Sequence, residues 1–389
     1  MPTAPAGAAE SAEPRARLVR VSVRDFRNLA RVDVALPAEG MALVGENGQG
    51  KTNFLEAIHY LQLLRSFRGA RDTELVRFDA PGFHVSAALA GAAVRDVSVG
   101  FERASKRKRV LVDGAEPDRL TDALGSFPAV LFSPQDAGIV AGAPSARRRF
   151  LDVMLALSSR TYLGALQRYR AALAHRGAAM RRPGSASAIE ESVSVWEAPL
   201  AEYGAMLLVA RRAWVDEHAG RYAQLCAAIG ERGAAVMRYP VGAGGLPAGD
   251  GIDVVREALA AALARSRASD VRRGLTHVGP HRDDLALALG GRDLRTYGSA
   301  GQHRTAAITL RLLEADTRRA AAGTEPVILL DDPFAELDAG RALRILELLG
   351  AERTGQIVLA VPRDDDIPAR FTRLARCRIA AGAIAPDAP

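Results

Sequence analysis

The chain has 389 residues, 48% hydrophobic and 25% charged, a globular balance with material for more than one domain and a sizeable core. Its formal net charge of +7 suits a polyanionic partner without naming one. Two scattered cysteines, Cys226 and Cys377, exclude a disulfide framework and point to a reducing cytoplasm, and no run of about eighteen apolar residues is present to span a membrane.

Residues 1–14 are rich in Ala, Pro, Glu and Ser and lack a basic start followed by an apolar stretch, so they read as a disordered tail, not a signal peptide. Residues 18–23 alternate, which predicts a strand with Val19, Val21 and Val23 on one face; residues 31–36 alternate similarly, and Arg27 and Asn28 lie in the turn between. A short buried strand at 41–44 runs into a glycine-rich loop, and a helix is expected over 51–64. Residues 83–89 and 94–101 read as antiparallel partners, 110–112 as a strand ending in an Asp113-Gly114 turn, and 129–132 as another buried strand. From Pro144, with Ser145 as the expected helix cap, the apolar spacing is helical to about 267, broken at 181–187 and at the glycine-rich 242–251. Strand patterns return at 285–289, 327–330 and 357–361, with helices expected over 301–322 and from 339. The expected architecture is α/β: a head with a mixed sheet built from residues 15–143 and 275–389, and a mainly helical lobe, 144–274, inserted in it.

Three groups of residues carry chemistry. Gly45-Glu46-Asn47-Gly48-Gln49-Gly50-Lys51-Thr52 matches G-x-x-x-x-G-K-[ST] in full, between a strand and a helix. Glycines let successive N–H groups face phosphate oxygens, the helix dipole favours the same anion, Lys51 reaches the β/γ-phosphates, and the Thr52 hydroxyl suits Mg²⁺. The chain has only three lysines, Lys51, Lys106 and Lys108, so a compact point charge at 51 stands out in an arginine-rich sequence. The second group is Asp331-Asp332, at the end of four apolar residues: Asp331 is the expected Mg²⁺ carboxylate and Asp332 the residue that orients the attacking water. The third is Ser299-Ala300-Gly301-Gln302 at the start of a helix.

The ordered set resembles an ATPase head of the ABC class, and within it the RecF family. The segments that carry the family resemblance are Phe26-Arg27-Asn28, Ser66-Phe67-Arg68, residues 132–136, the run from Pro144 through Arg147-Arg148-Arg149 to Asp152, residues 279–285, Gly301-Gln302 and Leu330-Asp331-Asp332. The resemblance spans residues 18–360 in order. It implies an ATP-binding phosphate-loop head, Mg²⁺, and an ABC-type signature at Ser299, Gly301 and Gln302 that meets the γ-phosphate on a second copy. It also implies an interface loop around Glu336-Leu337-Asp338 with Asp338 at the dimer contact, and Gln135 as a second catalytic group where the family has an acid. An ATP-dependent homodimer on DNA, slow DNA-stimulated hydrolysis, the partners RecO and RecR, and a role in recombinase loading at gaps, replication-fork repair and the damage response follow from it, in the nucleoid-associated cytoplasm. After the strand at 357–361 the sequence reads Pro362-Arg363, with none of the hydroxyls that the family places there. An ATP-locked scaffold with negligible hydrolysis is therefore a second expectation; a transport subunit or a chromosome-structuring head fits less well, because 145–275 is too short and too broken for long heptad arms.

For DNA, the candidate contacts are Arg147, Arg148 and Arg149 in the first turn of a helix, where positive charge opposes the dipole, and Lys106 and Lys108 beside a hairpin. Internal ion pairing is the competing reading for the arginines. His281 reads as structural, and Trp196 and Trp214 as packing of the helical lobe.

Overall fold

The structure, a computed structural model, describes residues 16–240, 251–333, 337–351 and 355–387. The expected tail at 1–14, most of the glycine-rich break at 242–251, and Glu336 lie outside the described residues. The chain divides into two compact units: Met1–Leu131 with Ala322–Asp332 and Gly350–Pro389, and Phe132–Ala321 with Pro333–Leu349. Residues 132–143, 275–321 and 333–349, assigned to the head on sequence grounds, group with the helical unit.

The first unit begins with β1 (Arg17–Phe26), β2 (Leu29–Ala35) and β3 (Gly40–Val44), then α1 (Lys51–Leu63), α2 (Asp72–Leu75), β4 (Gly82–Ala90), β5 (Asp96–Glu102), β6 (Arg107–Val112) and β7 (Ala129–Phe132). β2-β1-β4-β5-β6 form an antiparallel five-stranded sheet. A bulge between Leu18 and Arg20 shifts the alternation in β1. Leu18, Val21 and Val23 therefore face the core, and Val19, expected beside Val21, is 42% exposed. The Asp113-Gly114 turn has both residues at positive φ but leads only to a single bridge, Val112 to Ala115.

The second unit carries α3 (Ala137–Ala141), α4 (Pro144–Ser158), α5 (Arg160–Met180), α6 (Ala186–Ser194), the 33-residue α7 (Glu197–Ile229), β8 (Ala235–Arg238), α8 (Ile252–Arg273), β9 (Ala286–Leu289), β10 (Arg292–Asp293), α9 (Leu294–Tyr297) and α10 (Ala300–Ala322). The expected Ser145 cap gives way to Ala143, with Pro144 at the first helical position, where its missing N–H does no harm. β8 interrupts the predicted helical run; it pairs with β9 in a small sheet, a partnership too distant in sequence for periodicity to reveal.

A buried polar network organises this unit. Arg211, 2% exposed, donates to the Tyr162 hydroxyl (3.0 Å), the Tyr239 hydroxyl (2.9 Å), the Pro280 carbonyl (2.8 Å) and Asp152 (2.6 Å). The two sequence segments at 144–152 and 279–285 meet here: Arg147 forms a two-pronged pair with Asp284 (2.8 Å each), and Arg148 donates to the Asp283 carbonyl (2.6 Å). His281 Nε2 donates to the Thr276 carbonyl, and Nδ1 is left to accept from the Tyr169 hydroxyl (2.6 Å). Burial pushes this histidine down to about 4, so it is neutral and structural. Trp214 is buried and donates to Thr317, and Trp196 stacks on His175.

The chain then adds β11 (Val327–Asp331), α11 (Ala339–Ala351), β12 (Ile357–Val361), β13 (Ala375–Ala380) and β14 (Ala383–Pro386). The first of the last two strands alternates, with Cys377 and Ile379 buried between exposed Arg376, Arg378 and Ala380. The order β14-β13-β3-β12-β11-β7 makes the mixed sheet of the first unit, with β3 parallel to both β12 and β13. One hydrophobic core joins residues of this sheet, of the five-stranded sheet and of α1, which is buried on nearly every side. Among the described residues no helix is long and apolar enough to cross a membrane.

Replacing Arg211 by Ala removes the buried cation from Asp152, which keeps the Tyr162 hydroxyl and the exposed Arg170, and leaves the Pro280 carbonyl without its guanidinium donor. Denaturant unfolding should show the helical unit destabilised by about 3–5 kcal/mol. Arg211→Lys should recover little of it, since a single ammonium cannot reproduce the planar fork.

Candidate functional site

All five residues of β3 are buried, and the strand delivers the chain into the loop at 45–50. Gly48 and Gly50 stand at φ +82° and +118°, a region costly for other residues. A Cβ on Gly50 would also lie 2.8 Å from Asn28 Oδ1. Gly50 is the N-cap of α1 and offers no side-chain cap, so first-turn N–H groups remain available for an anion. Lys51, 6% exposed, donates to the Gly45 and Glu46 carbonyls. Burial lowers its pKa, opposed by the charges of Asp332 and Asp331.

β11 is buried along its whole length and brings its final residue, Asp331, to the start of α1. The Thr52 hydroxyl donates to Asp331 Oδ1 at 2.8 Å across 279 residues of sequence. Burial holds the Asp331 carboxyl above the usual carboxylate range; the Thr52 bond opposes this, Asp332 reinforces it, and Lys51 and Arg68 oppose it. Asp332 is half-buried, at φ +44°, with its N–H on the Ala360 carbonyl at 3.0 Å. Thr52 and Asp331 present hard oxygen ligands at one point, a donor set that suits a magnesium ion whose other ligands are phosphate and water. Among the described residues no group of three His, Cys, Asp or Glu makes an all-protein metal site.

The loop is held by residues whose roles were not apparent in the motif. Asn28 Nδ2 donates to the Gln49 carbonyl (3.1 Å), and Asn28 Oδ1 accepts from Asn53 (2.8 Å). Gln49 accepts from the turn between β13 and β14, at its side chain from the Ala381 N–H (2.6 Å) and at its carbonyl from the Gly382 N–H (2.9 Å). Beneath the loop, Glu56 of α1 has no exposed surface. It receives Arg27 through two hydrogen bonds (3.0 and 3.1 Å) and the Ser66 hydroxyl, with Arg68 at 3.6 Å. Residues 26–28 and 66–68 thus converge on one carboxylate.

The remaining candidates separate into several settings. In the helical unit, Ser299 and Gln302 hydrogen-bond reciprocally at the start of α10, Ser299 N–H to Gln302 Oε1 (2.9 Å) and Gln302 N–H to Ser299 Oγ (3.3 Å). A Cβ on Gly301 would meet Arg341 at an ordinary 3.5 Å, so packing within the fold does not demand glycine there. Gln302 also lines a cavity of about 710 Å³ with Glu231, Tyr297 and Arg341. Asp338 is exposed and accepts from the Arg341 N–H (2.9 Å). Gln135 is exposed, whereas its neighbour Asp136 is buried against Arg311 (2.6 Å). Arg147 is 3% exposed, Arg148 intermediate and Arg149 exposed. The ion pairing weighed for this cluster is what Arg147 displays. In the first unit, Lys106 is exposed, and Lys108 is tied to Asp72 (2.8 Å), the Leu64 carbonyl and the Tyr60 ring.

No protein-family model matches the chain. It is 36% identical over 348 residues to the DNA replication and repair protein RecF of Salinibacter ruber, covering 88% of this chain and 84% of that protein. It is 40% identical over 342 residues to the protein of the same name from Anaeromyxobacter dehalogenans, covering 86% and 90%. The fold matches a solved structure of the recombination mediator protein RecF-ATP in the RecFOR pathway at a TM-score of 0.86 and 28% identity, over 98% of this chain and 100% of that one. An Smc head bound to the C-winged helix domain of ScpA matches at 0.53 and 13% identity, over 95% and 97%, a likeness of fold alone.

An acid held above its ordinary range opposes folding once ionised. This penalty is absent below the unfolded carboxylate pKa and sets in as pH rises through the folded one. Asp331→Asn, which keeps an acceptor for Thr52, should therefore raise the melting temperature at pH 7, and the gap to the wild type should close as pH falls toward 4.

Proposed function

Because this chain belongs to the RecF family of DNA replication and repair proteins, we propose that it is an ATP-operated DNA clamp whose loop at 45–52 takes one nucleotide per protomer. The observation that carries the reading is the Thr52–Asp331 hydrogen bond beside Lys51 at the uncapped start of α1. The nearness of this carboxylate to the loop supports a site for phosphate and metal together, and the RecF-ATP neighbour is named for ATP. In this reading the loop N–H groups and Lys51 hold the phosphates, and Glu46, Asn47 and Gln49 shape the loop. Mg²⁺ bound by Thr52 and Asp331 would supply positive charge to the phosphate oxygens. Asp332 orients water, and Gln135 is the second candidate by resemblance.

Ser299, Gly301 and Gln302 of a second copy then face the γ-phosphate, with Asp338 at the same contact. Ser299 and Gln302 are exposed or half-exposed, and a Cβ on Gly301 would meet Arg341 only at ordinary contact distance, so the fold itself does not demand glycine there. ATP that contacts two protomers couples its own binding to dimerisation, and its hydrolysis releases the dimer. The object of this cycle is DNA, with RecO and RecR as partners in recombinase loading at gaps and in the damage response. The absence of a hydroxyl at Pro362-Arg363, past the end of β12, favours slow turnover, and at its limit an ATP-locked scaffold.

Light scattering with Mg-ATP and DNA tests this. The wild type should dimerise only with ATP. Lys51→Ala should lose a charged contact worth about 2 kcal/mol, roughly a 30-fold weaker nucleotide affinity, and stay monomeric. Ser299→Arg should bind ATP normally yet stay monomeric. A wild type of unchanged size with ATP would defeat the composite site. Asp332→Asn should slow turnover; equal turnover in both proteins would leave only the scaffold reading.

A further inference from the structure

The solvent face of the five-stranded sheet has a charge pattern that its own stability does not explain. The register aligns Arg31 of β2 with Arg24 of β1, Arg24 with His84 of β4, His84 with Gly100 of β5, and Gly100 with Arg109 of β6. Arg31, Arg24, His84 and Arg109 are all exposed. Directly opposed like charges destabilise a sheet. Two other arginines of this face have acidic partners: Arg20, outside the row, pairs with Asp33, and Arg109, at the end of the row, with Glu116. The side chains of Arg24 and Arg31 make no hydrogen bond or close ion pair among the described residues, although Arg20 and Ser22, helped by the charge of Arg31, lower the Asp33 pKa.

The surroundings of these two residues are low and polar. A Cβ on Gly100 would meet only His84, at 3.8 Å, so no close packing imposes glycine in the middle of β5. The adjacent row runs Asp33, Ser22, Ser86, Ser98 and Leu111, three of them short hydroxyl side chains. Burial and the charge of Arg24 lower the His84 pKa, so the positive charge of the row is carried by its arginines. No Phe, Tyr or Trp points outward from these strands, and His84 is the one exposed ring among them, so the face holds little of the aromatic platform that unstacked bases need. A flat, hydroxyl-lined surface with unpaired guanidinium groups complements a phosphate backbone more than base edges.

We infer that this face binds the sugar–phosphate backbone of duplex DNA, with Arg24 and Arg31 as its anchors. The inference rests on the DNA reading above and supplies the surface that reading lacks. Asp33 limits the affinity by holding Arg20 in an ion pair.

The test uses the full chain with Mg-ATP, a fluorescently labelled duplex and a single strand of equal length, titrated over a salt series. The double variant Arg24→Ala/Arg31→Ala should bind duplex about tenfold or more weakly near 0.1 M salt. The slope of log affinity against log salt should fall by about 1.8, the value for two lost phosphate contacts. Its melting temperature should hold or rise, because a repulsive pair is removed, and its ATP affinity should not change. Asp33→Asn should move the other way and tighten duplex binding, which misfolding cannot imitate. Unchanged duplex affinity and slope in the double variant, with the wild type retaining DNA, would overturn the surface and leave the DNA reading intact. Losses confined to the single strand would overturn the duplex assignment. A wild type that retains no DNA would remove both.

Discussion

A carboxylate sealed from water, Glu56, is the constraint on which the phosphate loop depends. A buried charge is tolerated only when it is paired and hydrogen-bonded, and here Arg27, Ser66 and Arg68 meet that demand from two separate segments. The result is a fixed position for the first turns of α1. Arg27 fixes the turn that carries Asn28, and Asn28 in turn fixes the carbonyl of Gln49. The chain of contacts runs from an ion pair under the helix to the backbone of the loop above it. The loop's rigidity is therefore a property of the first unit's core, not of its glycines alone.

The helical unit solves a similar problem with a different residue. Arg211 and Asp152 join α4, α5, α7 and the segment at 279–285 through one network. Arg147 belongs to the same arrangement, and its charge at a helix start is neutralised by Asp284. What looked like a dipole penalty awaiting an external phosphate is balanced inside the fold. Each unit thus joins segments distant in sequence through a guanidinium paired with a buried carboxylate.

Much of this could be read from the sequence, because the signals were local. The strands at 41–44, 129–132 and 327–330, the loop and the helix after it depend on apolar runs and glycine spacing, and they stand where expected. The likeness to RecF rested on segments that prove to be structural joints: 26–28 and 66–68 meet at Glu56, and 144–152 meets 279–285 around Arg211. Glu56 itself was invisible, since one acid in a helix looks like any other until burial is known. β8 is not legible because so short a strand depends on a distant partner, β9, whereas β13 does alternate, with Cys377 and Ile379 buried between arginines, a signal the sequence offers. Val19 was misplaced because a bulge, not alternation, decides the faces of β1.

The hairpin of β13 and β14 has a consequence in time. Its turn holds Gln49 from a position more than three hundred residues further along, and β13 and β12 flank β3 on either side. At a synthesis rate of roughly 5–20 residues per second, about 15–65 s separate the emergence of the loop from that of the turn that holds it. Until then β3 lacks both its neighbours. The nascent chain therefore displays its phosphate loop long before the loop has its final shape, and competence for nucleotide arrives as one of the last acts of folding.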